Sequence, residues 1–563
     1  MARAPRQYIS PVQRWLAGVD ATGLWLALFA FAGFWLNSWA VPLFDLDEGA
    51  FTAATREMFE RGDFLMTYLD GAPRYDKPIL IYWLQAASVS VFGWSEFALR
   101  LPSMLAASAW MWVVYRFVHE LSGSKEKALF GAGSLALSPV PGLIGHAATA
   151  DALLNLWLAL TLLDLWRWFA FDVPSPSGRG AGVRGALADS ALSLIRRYAT
   201  PSPEGRRNLL LLRVYLWIGL GLLTKGPVAV ALPVMVVLPF ALLAQRSRDA
   251  LKAAFFMPGW LLTLAVFLPW AVALTLKDGG DFFRHFLLDH NVGRYSETME
   301  SHGGKLWYYL AALPLIVLPF AAWLPAVFKQ AWHWKTEPRT LYLLLWFGVV
   351  FVLFSTSKTQ LPHYLLYGCT PLFVLFGLHD DALGRRWLAL LPAALFIALL
   401  CALPSLLPQF LPPAHRAYDR GIVDLIIESV RPSYYMACIG AAVILLLALI
   451  RPNVTPAMAA LRGGLAVSLA VWCGVLPLLA AGQQVPVQQA AAVSQQLGLP
   501  VVAYRITMPS FSMYRGSVTP HRTPVTGEIA FTRKDRIADL AAETQRPQTV
   551  MFQSGGVALV RVE

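Results

Sequence analysis

Asp45, Asp47 and Glu48 open a polar loop, and Arg74, Asp76 and Lys77 stand together near its end. Carboxylates so grouped can take a proton or orient a sugar. An Arg beside a Lys suits a phosphate, the Arg as a planar fork and the Lys as a point charge. Both clusters adjoin stretches apolar enough for lipid, where a charge is costly unless it has a partner or a task. Together they point to chemistry on a phosphate-bearing lipid at a membrane surface.

Asp47 follows the first apolar stretch in an apolar context and is the first candidate catalytic group. Lys77 precedes Pro78 and an apolar helix read over 79–87, with Tyr82 and Trp83. A cation before a helix start opposes the helix dipole. A bound phosphate resolves that conflict, because helix N-termini and Lys both attract anions. Arg74, Tyr75 and Tyr82 belong to the same candidate phosphate site. Asp151 is the second catalytic candidate and equally a good helix N-cap. Thr224-Lys225-Gly226-Pro227 breaks an apolar run and reads as a turn whose Lys reaches toward headgroups. Ser355 to Tyr364 is denser in polar groups, and Lys358, His363 and Tyr364 are candidates for phosphate or sugar. Glu57, Glu60 and Arg61 read as solvated charges on an amphipathic stretch lying on the membrane surface. In the loop at 276–305, His285 and Asp289 are four apart, a spacing that suits one helix face and a divalent metal. Arg294 in that loop is a further cation for a phosphate. Nucleotide-binding signatures are missing from the sequence.

These residues need a membrane scaffold. Of 563 residues, 57% are hydrophobic and 14% charged, against about a quarter charged in soluble chains. Mean hydropathy is +0.52. Apolar runs from 22–43 to 463–482 give thirteen expected spans, some short. Loops rich in Lys and Arg alternate along one side and mark it as cytoplasmic, so the net charge of +12 reflects membrane orientation and lipid headgroups, not nucleic acid. The opposite side receives the loops 44–96, 276–305 and 404–433 and the turns near Asp151, Lys225 and Lys358. Arg416, Arg420 and Arg431 there could meet lipid phosphates or ordinary headgroups. The stretch from Trp25 to Val41 reads as a retained span. Residues 172–208, rich in Gly, Ser, Pro and Arg, read as a flexible cytoplasmic loop. All four cysteines lie in apolar segments, so a disulfide is not expected. The expected domains are a transmembrane unit over 1–482 and a small α/β unit over 483–563. Strands are read at 500–504, 528–532, 549–552 and 557–562, and a helix at 535–544.

Taken in order, these landmarks resemble the polyprenyl-phosphate-sugar glycosyltransferases of the GT-C class. That class includes protein mannosyltransferases and the bacterial transferases that place aminoarabinose on lipid A. The resemblance rests on Asp45-Leu46-Asp47-Glu48, on Arg74-Tyr75-Asp76-Lys77-Pro78-Ile79-Leu80-Ile81-Tyr82-Trp83-Leu84, and on Asp151. It continues with Leu222-Leu223-Thr224-Lys225-Gly226-Pro227, with His302 to Tyr309 leading into Pro314, and with Ser357-Lys358 and Leu361-Pro362-His363-Tyr364. It runs from residue 1 to about 480 and is most similar to the aminoarabinose branch. It implies an all-α polytopic fold of about 13 transmembrane helices with a small periplasmic α/β domain. It also implies an undecaprenyl-phosphate-linked sugar donor, a lipid A acceptor, and an active site on the periplasmic face of a bacterial inner membrane. Asp47 matches the family's catalytic acidic position, and Lys77 a position at the lipid phosphate. His146 stands where much of the wider class has Arg. One rival reading keeps the class and changes the sugar or acceptor. A transporter of lipid-linked sugars is disfavoured, because the charges gather at one face and no repeat is visible.

Overall fold

The computed structural model describes residues 21–170, 203–287, 307–330, 332, 337–409 and 417–563. Among them, eight helices are long and apolar enough to cross a membrane: Glu96–Ser122, Asp151–Ala170, Gly205–Lys225, Met257–Asp278, Pro338–Thr356, Arg386–Gln409, Pro432–Ile450 and Pro456–Gln483. Two bent pairs raise the number to ten: Lys125–Ala136 with Pro139–His146, bent by 65°, and Tyr308–Ile316 with Phe320–Lys329, bent by 114°. Ala21–Trp35, Leu80–Phe92 and Val228–Leu243 are apolar but shorter. By length and composition the thirteen expected spans are therefore not all reached. The runs at 22–43 and 228–244 are two of these shorter helices, and in the run at 364–379 Pro362 opens a 3₁₀ segment, Pro362–Gly368, ahead of the short helix Thr370–Leu378. The loop read over 172–208 lies mostly outside the described residues, and from Pro203 the chain is helix.

Close helix approach relies on small residues, as lipid offers no hydrophobic drive between helices. Gly131 and Gly377 face each other; a Cβ on Gly131 would stand 3.0 Å from the Phe373 carbonyl oxygen. Large aromatics such as Trp110, Trp323 and Trp346 are fully buried around them. Where a charge is buried in this part it is paired. Asp164 accepts from Arg167 at 2.8 Å and from Trp217 at 3.1 Å, with Arg213 3.0 Å away.

The loop after the first helix folds into the helix Asp47–Arg61 and a two-stranded hairpin, β1 (Tyr68–Leu69) and β2 (Ala72–Pro73). Its turn is Asp70-Gly71, both at positive φ, the pairing that a tight hairpin turn needs. Glu57 was expected to be solvated. It is buried, with Arg61 3.5 Å away, and it accepts from the Gly71 N–H. The helix packs against another chain segment along its length, so it is not a surface float.

That segment belongs to the C-terminal unit. Here β3 (Val501–Tyr504), β4 (Ile529–Arg533), β5 (Gln548–Ser554) and β6 (Val557–Val562) form a sheet in the order β3-β4-β6-β5. The β3–β4 pair is parallel and the others antiparallel. The helices Val485–Leu497 and Ser510–Arg515 were not read from the sequence; the helix expected at 535–544 is Ile537–Thr544, preceded by a short 3₁₀ turn. Phe511 stacks on Phe531 at 3.9 Å, fixing the helix Ser510–Arg515 to the sheet.

Candidate active site

A cavity of about 540 Å³ opens between the first loop and the tops of the spans. Its wall carries Asp45, Asp47, Glu48, Arg100, His146, Thr149, Asp151 and His363.

Glu48 is the best-fixed of the loop carboxylates. Arg100, inside the span Glu96–Ser122, donates to it through Nε and Nη2, both at 2.8 Å. The Ala148 and Phe44 N–H groups donate to it at 2.8 Å each. Arg100 also donates to the carbonyls of Ser38, Val41 and Pro42. This buried bidentate pair ties the loop to two spans and leaves Glu48 no spare capacity for a reaction.

Asp47, one residue earlier, is exposed to the cavity. It opens the helix Asp47–Arg61, where the dipole favours a carboxylate. Among the described residues its side chain has no hydrogen-bond or ion-pair partner. Arg74 and His363 both lie within its electrostatic reach.

The opposite wall is a closed network. Lys225 Nζ donates to Asp151 Oδ1 at 2.6 Å, and the Tyr367 hydroxyl donates to the same oxygen at 2.6 Å. Lys225 and the Tyr367 hydroxyl are 2.7 Å apart. Thr149 reaches the other oxygen at 3.4 Å, and His363 Nε2 stands 3.9 Å from Oδ1. Burial holds His363 below its ordinary pKa, although Asp151 pulls it upward. Lys225 therefore does not reach for headgroups; it neutralises Asp151. The Tyr364 ring lies 5.6 Å from its ammonium.

The cationic end of the loop forms the third part. Arg74 donates to Asp76 at 3.1 Å and Lys77 to the same side chain at 2.6 Å. Arg74 lies over the Phe51 ring at 4.9 Å, and Tyr82 stacks on that ring at 5.4 Å. Arg74 Nη1 and the Tyr82 hydroxyl are both buried without a hydrogen-bond partner among the described residues. Two buried donors left open on one aromatic floor are costly unless a ligand accepts from them.

Among the predicted residues, Asp47, Asp151 and His363 thus line one cavity, and Lys77 and Arg74 are electrostatically in range of them. Tyr75 faces another way, stacked on His285 at 5.0 Å with Phe282 at its edge. Lys358 is exposed and makes no hydrogen bond or ion pair among the described residues. Arg294, Asp289, Arg416 and the 302–306 part of the resemblance lie outside the described residues, so the His285–Asp289 pairing has no geometry here. Among the described residues no three His, Cys, Asp or Glu side chains are placed to share a metal. Sequence reasoning missed Arg100, Tyr367 and Ser510. Arg100 had a signal, being an ionisable residue within an apolar run; Tyr367 and Ser510 had none.

Asp45 has a different partner again. Its Oδ1 accepts from the Ser510 N–H at 3.0 Å, and its other oxygen accepts from the Ser510 hydroxyl. Burial pushes its pKa up to about 7, with the Ser510 hydrogen bonds pulling against it.

Residues 76–173 match the sequence profile of the dolichyl-phosphate-mannose-protein mannosyltransferase family. The chain is 30% identical over 371 residues to the undecaprenyl phosphate-alpha-4-amino-4-deoxy-L-arabinose arabinosyl transferase 2 of Pseudomonas fluorescens, covering 65% of this chain and 56% of that one. It is 29% identical over 394 residues to the corresponding transferase of Pseudomonas paraeruginosa, covering 68% and 65%. The chain thus spans less than two thirds of either relative's length. The crystal structure of ArnT from Cupriavidus metallidurans bound to undecaprenyl phosphate superposes with a TM-score of 0.76 at 20% identity, covering 96% of this chain and 98% of that one. The likeness extends through the C-terminal sheet and carries the fold.

Proposed function

We propose that the chain is a member of the GT-C class of polyprenyl-phosphate-sugar glycosyltransferases and that it moves 4-amino-4-deoxy-L-arabinose from undecaprenyl phosphate to the phosphate groups of lipid A. The reaction takes place at the periplasmic face of a bacterial inner membrane and lowers the membrane's attraction for polymyxin and other cationic peptides. The observation that carries this reading is the pair of open buried donors, Arg74 Nη1 and the Tyr82 hydroxyl, beside Lys77 and within reach of the unpaired Asp47. A polyprenyl phosphate fits the donors, and the sugar attached to it then extends toward the cavity.

The step is a single displacement with inversion. A lipid A phosphate oxygen attacks the anomeric carbon, the bond from that carbon to the polyprenyl phosphate oxygen breaks, and undecaprenyl phosphate leaves with the electron pair. Arg74 and Lys77 stabilise the charge that grows on it. The attacking phosphate is already ionised and needs no base, so Asp47 orients the acceptor or pairs with the aminosugar's cation. With a hydroxyl acceptor Asp47 would instead take its proton. Asp151, already held by Lys225 and Tyr367, fixes the far wall. A divalent cation at His285 and Asp289 stays a proposal outside this step; turnover lost to a chelator and restored by added cation would support it, and turnover indifferent to chelation would remove it.

The match to the mannosyltransferase profile over 76–173 favours one second reading, the same chemistry with another sugar or a protein acceptor. Mass spectrometry of lipid A separates the two. A strain that makes the donor but lacks its own transferase should gain the aminoarabinose mass shift when this chain is present, and lose it on Asp47→Asn. Unmodified lipid A with the protein folded in the membrane would reject the proposed sugar and acceptor.

A further inference from the structure

We propose that the C-terminal α/β unit positions the reactive loop through Ser510, whose backbone N–H and hydroxyl both donate to the Asp45 carboxylate, two residues before Asp47. The inference rests on the transferase reading above.

The contact is built into both partners. Ser510 opens the helix Ser510–Arg515, so its N–H is one of those a helix leaves without an internal acceptor. Asp45 supplies that acceptor from the other unit, 465 positions away in sequence. Gly49 makes room for it. A Cβ there would stand 2.7 Å from the Ser510 nitrogen and would collide with the Asp45 carboxylate. The loop thus tolerates this approach because position 49 has no side chain. Ser510 itself is fully buried.

Further contacts hold the same two elements in register. The Leu43 N–H donates to the Tyr514 hydroxyl at 2.7 Å, which donates to Glu96 at 3.0 Å. At the hairpin tip Asp70 accepts from Ser512 at 3.3 Å and has His521 Nε2 3.0 Å away. Each of these reaches the segment 43–96, which carries Asp47, Arg74 and Lys77. The Ser510 contact is the one nearest Asp47, and Asp45 itself lines the cavity. Among the described residues Asp47 has no hydrogen-bond or ion-pair partner to fix its carboxylate, so its placement depends on the backbone that enters its helix. Ser510 fixes that backbone from outside. It is not among the residues that line the cavity and acts as a positioning residue.

The test is a double-mutant cycle on the full-length protein in membranes, with donor and acceptor varied separately. Ser510→Ala, which removes the hydroxyl's bond and keeps that of the N–H, should lower kcat by about 10-fold, the loss expected for one hydrogen bond to a charged group, and Asp45→Ala, which removes both bonds, by at least as much. KM for either lipid should stay within about twofold, since uniform binding is untouched. The double variant should be no worse than Asp45→Ala alone. Asp45→Asn, which keeps an acceptor for the Ser510 N–H, should retain most of the rate. Losses that multiply in the double variant, or wild-type kcat in Ser510→Ala, would overturn the proposal. Hydrogen exchange gives a reading independent of turnover. The Gly49 and Ala50 amides, bonded to the Phe44 and Leu46 carbonyls, should exchange faster in Ser510→Ala while those of β4 stay protected. If the wild type shows no transfer, the transferase reading fails, and exchange alone then decides the Ser510 contact: faster at 49 and 50 supports it, unchanged rejects it.

Discussion

The two walls of the cavity handle charge in opposite ways. On the span side, Asp151 is closed by Lys225 and Tyr367, both at 2.6 Å. On the loop side, among the described residues, Asp47 faces the same space with its carboxylate unpaired, and Arg74 Nη1 and the Tyr82 hydroxyl are buried without acceptors. The wall embedded among the helices has to satisfy its charges with ionic and polar side chains of its own, because neither lipid nor apolar packing will do so. The loop wall, supported from outside by a small soluble-type unit, can leave groups open for a substrate. Asp47 and Glu48 repeat the contrast at adjacent positions: one open, one clamped by Arg100.

The largest effect should come from Asp47→Asn. Turnover should fall by about 10²–10³-fold, the loss of one preorganised charge at the reacting centre, while the melting temperature in detergent stays near the wild-type value, because no hydrogen bond or ion pair among the described residues is lost. A stable variant with full turnover would remove Asp47 from the reaction.

The reverse pattern is expected on the closed side. Glu48→Gln leaves Arg100 buried without its counter-charge, and Asp151→Asn does the same to Lys225. Each should destabilise the protein by about 3–5 kcal/mol, read as a lower melting temperature and reduced yield. If Asp151→Asn folded normally yet lost turnover as Asp47→Asn does, the two walls would not differ in kind.

Next in size is Arg74→Ala. Losing a charge-assisted hydrogen bond to phosphate should weaken donor use by about 10–100-fold. The deficit should appear in KM for the donor and leave KM for the acceptor unchanged. An equal loss for both lipids would place Arg74 elsewhere in the reaction.

How far this contrast was legible in the sequence depended on the range of the signal. The strands of the C-terminal unit were local and could be read from alternation. Asp47 and Lys77 stood out because charges beside apolar runs are rare. What gave no warning were partners far apart in the chain. Arg100 meets Glu48 across 52 positions, Tyr367 meets Asp151 across 216, and Ser510 meets Asp45 across 465. Lys225 was visible, but its task depends on Asp151 lying opposite, so alone it looks like a Lys reaching for headgroups. Glu57 looked solvated for the same reason: its acceptor role toward Gly71 exists once the hairpin folds back over the helix.

A smaller effect follows from Asp45. Docked against Ser510, its pKa lies at about 7 because of burial, against 3.8 ordinarily. The docked form therefore holds its proton more tightly than an undocked one. The sign is that docking gains fully from this group below pH 3.8 and loses that gain as pH rises toward 7. Glu48 and Asp70 face it from the loop and Tyr418 from the helix Ala417–Glu428. His521, raised by its bond to Asp70, weakens the interface in the same direction as it deprotonates. Exchange at Gly49 and Ala50, corrected for intrinsic rates, should be slower at pH 5 than at pH 8, and Asp45→Asn should flatten part of the difference. A wild-type profile already flat would remove Asp45 as a titrating group.

The smallest effect is the sharpest test of the open wall. Tyr82→Phe removes a buried hydroxyl that has no hydrogen-bond partner among the described residues, so the free protein should be unchanged or slightly more stable, by less than about 1 kcal/mol. If that hydroxyl donates to the donor's phosphate, the same change should cut the stabilisation that undecaprenyl phosphate confers on the melting temperature. The two shifts have opposite signs, and a group that merely fills space cannot produce both. A variant stabilised by undecaprenyl phosphate as fully as the wild type would mean that the hydroxyl is simply unsatisfied. The phosphate would then rest on Arg74 and Lys77 alone.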